Sequence, residues 1–307
     1  MKRKLWRLRL VIIPAIALGV LFIAFPYLTL QIFAFGFYPR TTIFIYLGVT
    51  IFLSLLRLKG SYTNKTLDQV VTILMYLIVI PVLLILGIPF FFIAVIVRPF
   101  MYRIMYFLAT TILYVFGIRL EFVGKLPKGQ YIIICNHCST IDDIINAPIM
   151  GLKGWKVVFA PEVRRIPLVS LFLMFIGIPV KREDLESKEE VKGAIKFFLE
   201  KKFNILIFPE GKRLTEPRKR KKDVYILPFQ KGAFFLSQKT GIPVVRVVVS
   251  WTYLFKPRAG QWWFSPRKIT IKYLDPILIE EGETIGDFAN RARLSMETEL
   301  RRLIDTQ

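Results

Sequence analysis

Three apolar stretches fill most of the first 98 residues and constrain this chain more than any other feature. They run from Leu10 to Phe37, interrupted only by Pro14, Pro26 and Gln31, from Thr42 to Leu56, and from Val70 to Val97, which contains Pro81, Gly87 and Pro89. A helix needs roughly 20 apolar residues to span a bilayer, so the first stretch is comfortably long and the second slightly short. The pair reads as a hairpin of membrane helices. A signal peptide has an apolar core of only ~7–15 residues, and here another apolar stretch follows directly, so retained anchors are the preferred reading. An apolar fraction of 54%, with 27 Phe among 307 residues, points the same way, because soluble domains sit nearer ~45–50%.

The charge is lopsided in sign and in placement. The chain carries a formal +22; residues 1–98 hold ten Lys/Arg against the single acid Asp68, and the remainder hold 34 against 21 acids. A surface this basic suits nucleic acid or an anionic bilayer. The apolar N-terminal part favours the bilayer, and no RRM, zinc or helix-turn-helix signature supports nucleic acid. The positive-inside rule puts the N-terminus, the loop 57–68 and everything after Arg98 on one face, the cytoplasmic one. Full crossing by the third stretch would break that parity. A kinked, re-entrant or interfacial segment centred near Pro81 to Pro89 restores it.

Two units follow: a membrane-anchoring region over 1–98 (two helices plus the kinked segment) and a second unit over 99–307. The latter opens on an aromatic-rich stretch, 99–117, expected to lie as a helix at the membrane interface. Short β-like runs then alternate with helical patterns. Strands are expected at 119–122, 131–135, 157–160, 176–180, 205–208, 244–249 and 268–273, and helices after Asp142, over 189–201, over 232–239 and over 285–304. Ser187 with Glu190, and Thr284 with Asp287, have capping-box spacing. Such alternation over about 200 residues argues for one α/β domain built on a sheet.

The only histidine, His137, follows the apolar run 131–135 and precedes two acids, Asp142 and Asp143. Imidazole titrates near neutrality, and a carboxylate can fix its tautomer, so this is a candidate general-base site. Five residues of ideal helix turn through ~500°, so His137 and Asp142 cannot share a helical face. The histidine must sit in the turn before the helix. The two cysteines, Cys135 and Cys138, are the only ones in the chain. They suggest no disulfide framework, and without a second ligand pair no metal site.

A second strand-to-turn element, Phe208-Pro209-Glu210-Gly211-Lys212-Arg213, presents an acid, a glycine and two cations. Ligand sites of α/β sheets lie beyond the carboxyl ends of strands, so this turn and His137 are expected to share a crevice. Gly177 to Arg182 is a third such element. Arg182 and Arg213 are suited to gripping a phosphate bidentately, although solvated surface arginines would read alike. Ile242 to Val249 reads as core.

In this order the motifs resemble the glycerolipid acyltransferases typified by 1-acyl-sn-glycerol-3-phosphate acyltransferases, over roughly residues 99–300. His137 to Asp142 is similar to the family's His-x4-Asp motif, with Asn136 and Ser139 in the usual places. Phe208 to Arg213 is similar to the Pro-Glu-Gly motif, Gly177 to Arg182 to the acceptor motif, and Ile242 to Val245 to the fourth block. Lys212, where Thr or Ser is usual, and Arg246, where a second proline is frequent, are departures. The resemblance implies an α/β, glycerol-3-phosphate acyltransferase-like fold: a central mixed sheet flanked by helices, preceded by N-terminal membrane helices.

It further implies that His137 and Asp142 are catalytic, the family spacing selecting Asp142 over Asp143. Arg182, Glu210, Gly211 and Arg213 bind the acceptor, with Glu210 either organising the pocket or contacting the glycerol. Asn136, Ser139 and the helix N-terminal N–H groups support the oxyanion or position the site. The implied reaction needs no cofactor or metal. An acyl thioester of coenzyme A or acyl carrier protein is the donor, and a membrane-borne lysophospholipid, foremost lysophosphatidic acid, is the acceptor. Another lysolipid, such as a lyso-ornithine or zwitterionic lysophospholipid, keeps the reaction and changes the acceptor. A non-catalytic protein binding anionic lipid is the reading of another class. A reporter fused after Arg98 is expected on the same face of the membrane as the N-terminus; its appearance on the opposite face would overturn the kinked-segment topology.

Overall fold

The computed structural model describes residues 68–69, 72–73, 101–139, 141–152, 154–159, 173, 176–180, 200, 202–214, 225–250, 252 and 267–305. Apart from residues 72–73 and 200, the expected membrane segments of 1–98 and the helix over 189–201 lie outside them, as does Arg182. Among the described residues, no helix is long and apolar enough to cross a membrane.

In chain order the elements are α1 (Met101–Val115), β1 (Ile118–Val123), β2 (Ile132–Cys135), α2 (Ile141–Met150), β3 (Trp155–Phe159), β4 (Gly177–Pro179), β5 (Asn204–Ile207), α3 (Gly232–Thr240), β6 (Val244–Val249), β7 (Arg267–Tyr273) and α4 (Ile285–Asp305). The seven expected strands are thus present, with ends shifted by a few residues. They form one seven-stranded sheet in the order β1-β7-β6-β2-β5-β3-β4. Neighbours pair in parallel except β6 and β7, which are antiparallel, so the sheet is mixed.

Period-two alternation explains the layers. A strand's successive side chains point to opposite faces, and β2 is apolar at every position because both faces are covered. Ile133 and Cys135 join Leu206, Val245 and Val247 in a core closed by Met101, Ala109 and Leu113 of α1 and Ile141, Ile145 and Ile149 of α2. Ile132 and Ile134 join Ile205, Val244 and Val248 in the opposite core, under Phe234 of α3 and Phe288, Ala292, Met296 and Leu300 of α4. Helix α4 starts as its sequence announces: the Thr284 hydroxyl donates to Asp287 Oδ2 at 2.6 Å and accepts the Asp287 N–H at 3.2 Å.

Arg246 is the one polar position of β6 and faces α4. Its guanidinium donates to Ser295 Oγ at 2.5 Å and to the Asp275 carbonyl at 2.9 Å. This departure from the fourth block therefore ties strand to helix. At the sheet's far edge, β4 abuts β3 because Gly177 lacks a side chain: a Cβ there would stand 2.3 Å from the Phe159 ring and 2.5 Å from the Leu173 carbonyl oxygen.

Phe234 and Phe288 are both fully buried and meet edge to face, with centroids 5.2 Å apart at 76°. A double-mutant cycle on Phe234→Leu and Phe288→Leu, read by chemical denaturation, is expected to give a coupling of about 0.5–1.5 kcal/mol. Strict additivity would refute a specific ring contact.

Candidate active site

Strands β2, β5 and β6 are parallel neighbours, so their carboxyl ends open on one edge of the sheet. The chain leaves β2 at Cys135 and turns over 136–139 ahead of α2. His137 and Glu210, separated by 73 residues, meet at this edge: Glu210 Oε1 accepts the His137 backbone N–H at 2.8 Å. The expectation that the two motifs share one crevice holds.

The turn is organised around one oxygen atom. Asp142 Oδ2 accepts the Cys138 N–H at 2.7 Å, the Ser139 N–H at 2.8 Å, and lies 3.0 Å from His137 Nδ1. The first N–H groups of a helix have no partner within it. Here the acid in the first turn reaches back to the Cys138 and Ser139 N–H groups just ahead of the helix, as in a capping box, while Ser139 Oγ accepts the Ile141 N–H at 3.4 Å. A carboxylate only accepts, so Nδ1 carries the ring proton and Nε2 keeps the lone pair that a general base needs. The neighbouring Asp143 is exposed and does not bond the ring. Geometry and family spacing therefore select the same acid.

The imidazole is fixed in two more ways. Its ring stacks on Phe208, with centroids 4.0 Å apart and planes 17° from parallel. Its residue's carbonyl accepts the Leu214 N–H at 2.8 Å. Only 8% of His137 is accessible to solvent, compared with 2% of Asp142.

Glu210 is equally buried and spends both oxygens on backbone. Oε1 takes the His137 N–H, and Oε2 takes the Leu227 N–H at 2.9 Å. Burial pushes its carboxyl up to about 7, against the N–H groups of His137 and Leu227 and the charge of His137, which pull it down. The arrangement fits the organising role rather than contact with glycerol. Gly211 makes the turn after it, with φ 65 and its N–H donated to the Phe208 carbonyl at 3.1 Å. A left-handed φ of this kind favours glycine.

Asn136 is tied to β6 at both ends of its amide: it donates to the Val249 carbonyl at 2.9 Å and accepts the Val249 N–H at 2.8 Å. The Cys138 and Ser139 N–H groups are likewise committed to Asp142. The geometry thus ties the Asn136 amide and the Ser139 backbone N–H into the turn that holds His137. Arg213 is exposed on the same side, where its charge and that of His137 both act on Asp143. Burial, with the nearby Asp142 and Glu210 charges, pushes the Cys135 and Cys138 thiols well up, so neither offers a ready thiolate. Among the described residues, no group of three or more His, Cys, Asp or Glu side chains is placed to hold a metal ion.

The sequence reading missed three partners. The Phe208 ring, the Leu227 N–H and the Val249 backbone come from other strands and loops. Phe208 alone left a trace, as the residue preceding Pro-Glu-Gly.

A histidine whose Nδ1 is held by an acid is suited chemically to act as a general base. Residues 118–250 match the family model described as Acyltransferase. The chain is 30% identical over 194 residues to the 1-acyl-sn-glycerol-3-phosphate acyltransferase of Saccharomyces cerevisiae, covering 61% of this chain and 61% of that protein. The enzyme of the same description from Limnanthes alba is 30% identical over 173 residues, covering 54% and 57%. The chain thus spans somewhat less than two thirds of the length of these relatives. The crystal structure of the 1-acyl-sn-glycerophosphate (LPA) acyltransferase PlsC from Thermotoga maritima superposes with a TM-score of 0.59 at 20% identity, covering 78% of this chain and 98% of that one, a likeness of fold.

Because Glu210 binds a proton when folded at pH values where it has lost it when unfolded, stability falls as pH rises from its ordinary value of 4.5 to about 7. Thermal melts between pH 5 and 8 are expected to slope downward more steeply for the parent than for Glu210→Gln, which has no proton to lose. Equal slopes would show that the carboxyl does not titrate in this window.

Proposed function

We propose that this protein is a membrane-bound acyltransferase that moves a fatty acyl group from a thioester to the free hydroxyl of a lysophospholipid, foremost lysophosphatidic acid, giving phosphatidic acid. The observation that carries the reading is the contact of His137 Nδ1 with Asp142 Oδ2 at 3.0 Å within the stretch that matches the Acyltransferase family model. In the reaction, His137 Nε2 takes the proton from the acceptor hydroxyl as its oxygen attacks the thioester carbonyl. The tetrahedral adduct then collapses: the C–S bond breaks, the new ester C–O bond remains, and the imidazolium returns the proton to the departing thiolate. Asp142 orients the imidazole and stabilises its charged form, while the substrate's own hydroxyl takes the place of a serine nucleophile.

Arg213, exposed beside the base, is the phosphate-binding residue, joined by Arg182, and Gly211 gives the headgroup close access to backbone. Coenzyme A or acyl carrier protein presents the donor chain, and no cofactor takes part. The apolar region 1–98 anchors the chain, with the catalytic domain on the cytoplasmic face. The strongly basic balance of the chain supports that placement against anionic lipid.

The test is acyl transfer by lipid-reconstituted, full-length protein from labelled acyl-CoA to lysophosphatidic acid. His137→Ala and Asp142→Asn are each expected to lower the rate by about 10²–10⁴. Lipid binding without transfer, across lysophosphatidic acid, other lysolipids and carrier-protein donors, would instead establish the non-catalytic reading.

A further inference from the structure

We propose that Phe208 is a positioning residue for the base: its ring holds the imidazole in the plane in which Nδ1 meets Asp142 and Nε2 faces the acceptor hydroxyl. The inference rests on the acyl-transfer reading for its catalytic consequence and on geometry for the positioning itself. One hydrogen bond fixes a point on a ring and leaves the ring able to swing about that bond. A stacked face fixes the plane.

Here the two constraints come from different elements. Asp142 belongs to α2, while Phe208 is the first residue past β5, the strand paired with β2 through Ile134 and Ile207. Phe208 is held in turn. Its carbonyl accepts the Gly211 N–H at 3.1 Å, the next carbonyl, of Pro209, accepts the Gln230 N–H at 2.7 Å, and Glu210 ties the same turn to the His137 backbone at 2.8 Å. Phe208 is only half-buried. An aliphatic side chain would fill that volume equally well, but only an aromatic face combines a flat surface with a negative π-cloud. A ring centroid 4.0 Å from the imidazole lies well within the ~6 Å range over which such a face attracts a cation, here the imidazolium formed when the base takes its proton.

His137 is the only histidine in the chain, so histidine-selective ¹⁵N labelling of the full-length protein in detergent reports this one ring. The parent is expected to show a single tautomer with the proton on Nδ1. Phe208→Leu and Phe208→Met are expected to show mixed tautomers or an exchange-broadened signal. In the transfer assay both variants should lose about 10- to 100-fold in kcat with KM for donor and acceptor unchanged, and Phe208→Tyr should restore kcat to within a few-fold. Unchanged tautomer signals in folded Leu and Met variants, or rescue by aliphatic residues as good as by tyrosine, would overturn the proposal. A parent that transfers no acyl group would sink the functional reading alone, since the tautomer signal tests the positioning without any turnover.

Discussion

The structure depends most on a single carboxylate oxygen that receives three donors. Asp142 Oδ2 collects the N–H groups of Cys138 and Ser139 and the ring of His137. Two of these are N–H groups of the turn leading into α2, so the interaction that closes this turn also holds the imidazole. Hydrogen bonds to an ionised acceptor in a buried site are stronger than neutral ones, and leaving them unmade costs the desolvation of every group involved. Folding and chemistry here draw on the same atom. The His-x4-Asp spacing follows from this geometry: the histidine must stay in the turn while the acid reaches back from the first helical turn.

Around that centre, polar side chains do what backbone pairing cannot. Beyond the ends of β2 and β6 the ladder stops, and the Asn136 amide continues it by exchanging both bonds with Val249. Glu210 bridges the His137 N–H and the Leu227 N–H. The loop before Leu227 is steadied by α4, where Glu297 accepts the Tyr225 N–H at 3.4 Å and Arg301 lies over the Tyr225 ring at 4.6 Å. A continuous set of contacts therefore joins the C-terminal helix to the base. Asp142 Oδ2 and both oxygens of Glu210 are occupied by these donors, while Asp142 Oδ1 is buried without a hydrogen-bond partner.

The departures from the family pattern separate by location. Arg246 faces α4, away from the sheet edge that carries the base, and serves packing. Lys212 stands in the exposed turn with Arg213, where side chains can change without disturbing the sheet.

Strand and helix identity were legible in the sequence because each rests on a local period: two for the strands, 3.6 for α4, with Thr284 and Asp287 marking its start. The pairing of β6 antiparallel to β7, and the strand order, were not legible, because hydrophobic alternation says which face is buried and nothing about which strand lies alongside. The same division runs through the site. His137, the acids after it and the Pro-Glu-Gly turn announce themselves as polar residues beyond strand ends, and the sequence by itself determined that the histidine stands in the turn before a helix with an acid in its first turn. Only the tertiary structure decided that Asp142 rather than Asp143 takes the imidazole on geometric grounds, that Glu210 is consumed in holding backbone, and that Phe208 lies on the ring. The Glu210 and Phe208 contacts cross between parallel strands separated by about 70 residues of chain, and no periodicity within one segment can encode a neighbour brought in from another.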